Sequence, residues 1–209
     1  MRVGLIYDGA SELEAMPTIL AKLVTEHRIV RHVLADIQPH APLGQIALSI
    51  VKRLPIMESA RVEYVIVLFD REFGSPHPCH IRMAREVEAK LNATLGGDSS
   101  IRRISVVVKH RTFENWLVAD TSALKALPAR FSVPKADNAR VVPNKADHIN
   151  GIKLLNHCCL KYGYEKRRDS IRIMHQADPL RVASNSRSFR RLLRELSVAP
   201  YEEQSKLPV

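Results

Sequence analysis

Apolar positions in this chain fall into four short runs separated by stretches of helical period. Residues 2–7 (RVGLIY), 29–34, 64–69 (YVIVLF) and 104–108 are rich in branched aliphatic residues and bounded by polar ones. Runs of this length predict strands, and the unbroken 64–69 run predicts one buried on both faces. Between the first two runs, Ala15, Ile19, Leu20 and Leu23 share one helical face. Pro17 lies among them, so that helix is expected either to begin near the proline or to kink at it. Ile46, Ile50, Val51 and Leu54 predict a second helix stopping near Pro55, and a third runs from about His80 to Leu95, before Gly96-Gly97. Strand and helix in strict alternation predict an α/β fold, a Rossmann-like parallel sheet of about four strands flanked by helices.

Beyond His110 the period changes. Helices are expected over 113–119, 122–127, 148–160, about 168–176 and 186–197, with a loop over 127–143 bounded by prolines 128, 134 and 143. This gives an α/β domain over residues 1–120 and a helical extension over 121–209, packed on it as one structural unit.

Composition narrows the picture. No apolar run approaches the ~20 residues that span a bilayer, and MRVGLIYDGASE has no signal-peptide pattern; a cytoplasmic protein without membrane contact is expected. Three cysteines cannot build a disulfide framework. His77, Cys79 and His80 lack a second ligand pair at zinc-finger spacing, which argues against structural zinc. The net charge of +10 implies attraction to nucleic acid or another polyanion. Basic residues crowd the C-terminal third, where Arg187, Arg190, Arg191 and Arg194 lie on one amphipathic helix. With Lys145, they are the expected nucleic-acid contacts.

Acidic residues gather where strands end. Asp8-Gly9-Ala10-Ser11-Glu12 follows the first strand, and the glycine permits a tight turn that leaves Glu12 in the first helical turn near Asp8. Helix capping would explain one such acid by itself. Asp70-Arg71-Glu72 follows the most apolar strand, and an extended backbone there would aim Asp70 and Glu72 at one point. Glu114 follows the fourth strand in Phe113-Glu114-Asn115-Trp116. In parallel sheets the carboxyl ends of the strands form the ligand edge, and hard cations take oxygen ligands of this kind. Trp116, the only tryptophan, is expected to anchor a helix in the core rather than stack a base.

The order strand–(D/E)-G-x-x-E–helix, apolar strand–D-x-(D/E), then F-E-x-W-L-x-A-D resembles a family of small TOPRIM-like proteins. These are related to the TOPRIM domains of OLD-type (overcoming lysogenisation defect) nucleases. The likeness spans about residues 1–120, and the segments at Ala177-Asp178-Pro179 and Ser188-Phe189 also fit. It implies a TOPRIM-like sheet with Asp8, Glu12, Asp70 and Glu72 as ligands of Mg²⁺ or Mn²⁺, joined by Glu114 as catalytic residues. Asp8 stands where the family has glutamate, and Glu72 where it has aspartate; both departures keep a carboxylate. The function so implied is a metal-dependent bacterial nuclease acting on DNA or RNA, an effector in phage defence regulated by an ATPase partner. The alternative is a non-catalytic subunit with a degenerate site that binds nucleic acid or the ATPase. Lys109, His110 or Lys145 would offset phosphate charge, and a homodimer stays open as the assembly.

Overall fold

The computed structural model describes residues 1–23, 25–77, 79–199 and 201, so the end of the expected extension lies outside the described residues. The four apolar runs form β1 (Arg2–Tyr7), β2 (Arg28–Leu34), β3 (Tyr64–Asp70) and β4 (Arg103–Lys109). They make one all-parallel sheet in the order β2-β1-β3-β4. Every residue of β3 is buried, as its unbroken apolar run predicts. The chain passes from β1 to β2 on one side and then crosses back over β1 to β3 on the other, so the strand order reverses between β1 and β3. In open parallel sheets such a reversal marks the ligand crevice, beyond the carboxyl ends of the two strands.

Period-two alternation divides the strand residues between two cores. Val3, Leu5, Tyr7, Tyr64, Ile66, Leu68 and Val107 face one core, shared with α1 (Ala10–Leu20), α5 (Glu114–Ala119) and the helices that follow. Ile6, Val65, Val67, Phe69, Val106 and Val108 face the other, with α2 (Leu43–Val51), α3 (Leu54–Ser59) and α4 (His80–Asn92). The result is a Rossmann-like α/β/α arrangement with helices on both faces.

Helices α6 (Thr121–Lys125), α7 (Lys135–Val141), α8 (Gly151–Cys158), α9 (Lys166–Gln176), α10 (Pro179–Asn185) and α11 (Arg187–Glu195) follow among the described residues. Their residues Leu124, Val141, Leu154, Ile173, Val182 and Leu192 join the core of the first sheet face. Each such burial contributes roughly 1.5–3 kcal/mol for a Val, Leu or Ile side chain. Trp116 is fully buried, donates from Nε1 to Ser188 Oγ at 2.8 Å, and meets Phe189 edge-on at 5.1 Å. It pins α5 to α11 and does not stack a base.

Local differences from the sequence reading have simple causes. Pro17 sits well inside α1, which runs through it at the cost of one backbone donor. Pro55 does not end a helix; it opens α3, where a missing N–H costs nothing. The expected loop over 127–143 contains α7, started at Pro134, and α10 starts at Pro179, with Asp178 as its cap. Among the described residues, no helix is long and apolar enough to cross a membrane.

Gly151, at the start of α8, lies directly against the backbone of α5. A Cβ there would lie 2.7 Å from the carbonyl carbon of Glu114 and 2.8 Å from the nitrogen of Asn115. Alanine propensity alone would stabilise a helix by about 1 kcal/mol. Overpacking against backbone opposes it, so Gly151→Ala is expected to lower stability by roughly 1–3 kcal/mol in urea unfolding. A more stable variant would contradict this packing.

Candidate metal centre

Charged side chains gather at the carboxyl ends of β1 and β3, where that crevice falls. Asp8 follows β1 directly, and Glu12 rises from the first turn of α1. Asp70 is the last residue of β3, and its register partner on β4 is Lys109. Asp70 and Lys109 therefore sit side by side at the carboxyl edge. Asp8 Oδ2 accepts the Asp70 backbone N–H at 2.6 Å, which locks the two strand ends together. Ligand oxygens of Asp8, Glu12 and Asp70 all lie within 4.8 Å of one another.

Lys109 occupies the middle of this group. Its Nζ pairs with Asp8 at 3.2 Å, with Asp70 at 2.9 Å, and with Glu12. It lies 5.8 Å from the Trp116 ring centre and 5.9 Å from that of Phe113, so aromatic faces close the inner side. The residue is fully buried. Burial by itself favours a neutral amine, but Asp70, Asp8 and Glu12 outweigh it and hold the ammonium above the ordinary lysine range.

The carboxylates outnumber their counter-charge. Burial raises Glu12 well above its ordinary range, and Asp8 and Asp70 add to this against the pull of Lys109. Burial pushes Asp70 up to about 7, with Asp8 and Glu114 adding to the rise and Lys109 opposing it. Glu12 Oε2 has no hydrogen-bond partner among the described residues. Glu114 is also fully buried, and neither of its carboxyl oxygens has a hydrogen-bond partner there. Its ion-pair contact is Lys166 Nζ at 3.6 Å. Four carboxylates and the Lys109 ammonium, if all ionised, leave a formal charge of −3 before Lys166 is counted. Buried acids left in this state are costly, and a cation would relieve them. The donor set is all oxygen, the preference of Mg²⁺, Mn²⁺ and Ca²⁺ rather than of softer metals.

Glu72 is not brought to this group. The extended backbone ends at Asp70, and Glu72 adopts φ +60, a left-handed conformation that turns its side chain away. It is half-exposed and meets His40 Nε2 at 3.1 Å. The alternation argument that paired it with Asp70 fails because the strand stops one residue too soon.

Among the expected nucleic-acid contacts, Arg190 is also misplaced. It is fully buried, donating to the Ala183 carbonyl at 2.6 Å and to Asn144 Oδ1 at 2.9 Å, so it holds α11 to its neighbours instead of facing solvent. Lys145 and Arg187 are exposed. Arg187, Arg191 and Arg194 line a pocket of about 280 Å³ with Arg85 and His80. Arg191 is tempered by Glu88 at 3.9 Å and Arg194 by Glu195 at 2.9 Å. The rings of His80, His110 and His148 follow one another at 4.9 and 5.2 Å, bridging this pocket to the loop after Lys109.

In the sequence alone Lys109 is one of several candidates for meeting phosphate charge. A lysine closing an otherwise apolar strand, ISVVVK, was the available signal: it must either snorkel or find buried acids.

The raised acids set a pH dependence. An acid whose folded pKa is raised favours the native state below its unfolded pKa, and loses that advantage as pH rises through the folded value. For Asp70 the window runs from its ordinary 3.8 to about 7. Replacing Lys109 with methionine removes the counter-charge and should cost roughly 3–5 kcal/mol where the acids are ionised. Urea unfolding of Lys109→Met against the parent should show a large deficit at pH 8 that shrinks at pH 4. A deficit equal at both values would mean that the lysine acts through packing alone.

No curated protein and no solved structure matches the chain. A family model described as "Domain of unknown function (DUF4276)" matches residues 8–197, from the first acid of the centre to just past α11. The chain belongs to that DUF4276 family.

Proposed function

We propose that this protein is a divalent-metal-dependent nuclease of TOPRIM type, hydrolysing phosphodiester bonds of DNA or RNA at the crevice beyond β1 and β3. The observation that carries this reading is the convergence of Asp8, Glu12 and Asp70, with buried Glu114 nearby, under too little positive charge. Asp8, Asp70 and Glu12 would hold Mg²⁺ or Mn²⁺, which supplies Lewis acidity toward a phosphodiester. Lys109 adds a fixed positive charge against the charge that develops on the phosphate. Glu114, walled in by α5 and α8, keeps the inner side of the centre electronegative. The pocket of Arg187, Arg191 and Arg194 suits backbone phosphates, held by charge and without base readout. The TOPRIM likeness further suggests an ATPase partner that regulates the activity, in a bacterial defence role.

One observation favours the second reading, a non-catalytic subunit that binds nucleic acid or the ATPase. Lys109 already fills the space between the three acids, so its ammonium substitutes for a metal ion. In that case the centre is a structural ion cluster.

Incubation with single- and double-stranded DNA and with tRNA, in Mg²⁺, Mn²⁺ or EDTA, separates the two. The nuclease reading expects cleavage in metal only, lost on Asp70→Ala by at least 100-fold and kept in Glu72→Ala, whose side chain faces away. Asp8→Glu should retain cleavage, because a longer carboxylate still reaches the crevice. Absence of cleavage in every metal, with nucleic-acid binding intact, would establish the binding subunit instead.

A further inference from the structure

The rim of the crevice carries one large apolar side chain that the packing does not use. Phe73, three residues after Asp70, is 56% exposed. A single exposed phenylalanine needs no explanation in general. This one is held in place: the Arg111 guanidinium lies over its ring at 4.2 Å from the centre. Arg111 itself comes two residues after Lys109.

The backbones that carry the pair are tied to the acidic centre. Beyond the last register pair of β3 and β4, Arg71 N–H donates to the Lys109 carbonyl at 3.1 Å and Glu72 N–H to the Arg111 carbonyl at 3.0 Å. These bonds tie together the two loops that leave the sheet, so Phe73 and Arg111 are carried on segments joined to each other directly after Asp70 and Lys109. Arg71 Nε bonds to the His110 carbonyl at 3.2 Å, a third link between the two loops. An aromatic face backed by the Arg111 guanidinium, on a loop that also carries Arg71 and follows directly on the acidic centre, matches one ligand chemistry well. Bases stack on such faces whatever their sequence, while the cations meet the adjoining phosphates. Bases locked in a duplex present no free face.

We propose that Phe73, backed by Arg111, is a stacking platform for an unpaired nucleobase, so that the acidic centre receives single-stranded or locally unpaired nucleic acid. The substrate class rests on the nuclease or nucleic-acid-binding reading, but the platform itself does not require metal or cleavage. A protein partner docking on the same aromatic is the competing use of this surface, and the test separates it.

The test measures binding of a fluorescent oligonucleotide carrying 2-aminopurine, as single strand and as duplex, in EDTA so that nothing is cut. The parent protein should bind the single strand more tightly and quench the aminopurine. Phe73→Ala should weaken single-strand binding roughly 5- to 150-fold, the range for losing one stacked base, and leave duplex binding unchanged. Phe73→Trp should restore both affinity and quenching, which a purely structural role would not require. Thermal melting of Phe73→Ala should match the parent, and so should its response to Mg²⁺. If that response is absent in both proteins while Phe73 still governs single-strand binding, the metal reading fails and the platform stands. Equal single-strand affinity in Phe73→Ala overturns the platform, as does failure of the parent to bind any oligonucleotide. A change in sedimentation behaviour without a change in nucleic-acid affinity would assign Phe73 to a protein contact instead.

Discussion

The Lys109 ammonium and the acids around it are the constraint on which the rest of this structure turns. Buried ion clusters are poor sources of stability, because removing charges from water costs several kcal/mol per ion. Here one cation faces Asp8, Glu12 and Asp70 at once, with Glu114 buried close enough to raise Asp70 further. Such a cluster would not persist on the strength of its own pairing. The hydrophobic sheet beneath it supplies the stability and leaves the acids in excess over the ammonium.

The surrounding architecture serves to fix these groups. Strand β3 is apolar throughout, so it threads the centre of the sheet and delivers Asp70 to the edge without choice of position. The strand order reverses between β1 and β3, and it is at their carboxyl ends that Asp8 and Asp70 meet. On the inner side, Trp116 joins α5 to α11, and Gly151 lets α8 lie against the backbone of Glu114. The C-terminal helices are therefore a wall of the centre rather than an appendage. That position is consistent with the family model extending to residue 197.

Much of this was legible in the sequence, for identifiable reasons. The strands were readable because buried parallel strands are unbroken apolar runs, and the edge position of Asp8, Glu12 and Asp70 followed from acids placed immediately after them. Glu72 was not readable: the D-x-E spacing converges only if the backbone stays extended, and a left-handed residue at 72 is a local event with no periodic signature. Arg190 was misread because helical spacing places it beside exposed arginines, while its burial depends on Asn144 and Ala183 arriving from distant segments. The short helices α7 and α10 escaped notice because each begins at a proline, a residue that marks both loops and helix starts. Lys109 was visible as a strand-end lysine, but its place among three acids is a tertiary fact, set by the register of β4 against β3.

The proposed nuclease reading requires the acidic crevice to bind a divalent cation despite the ammonium within it. Titrating Mn²⁺ into the protein and counting free ion by electron paramagnetic resonance tests this without reference to any substrate. The expected result is saturable binding at the crevice, abolished in Asp70→Ala and competed by Mg²⁺. Mn²⁺ that stays free at all concentrations, or binds equally to Asp70→Ala, would contradict the account and leave Lys109 as the only cation this centre holds.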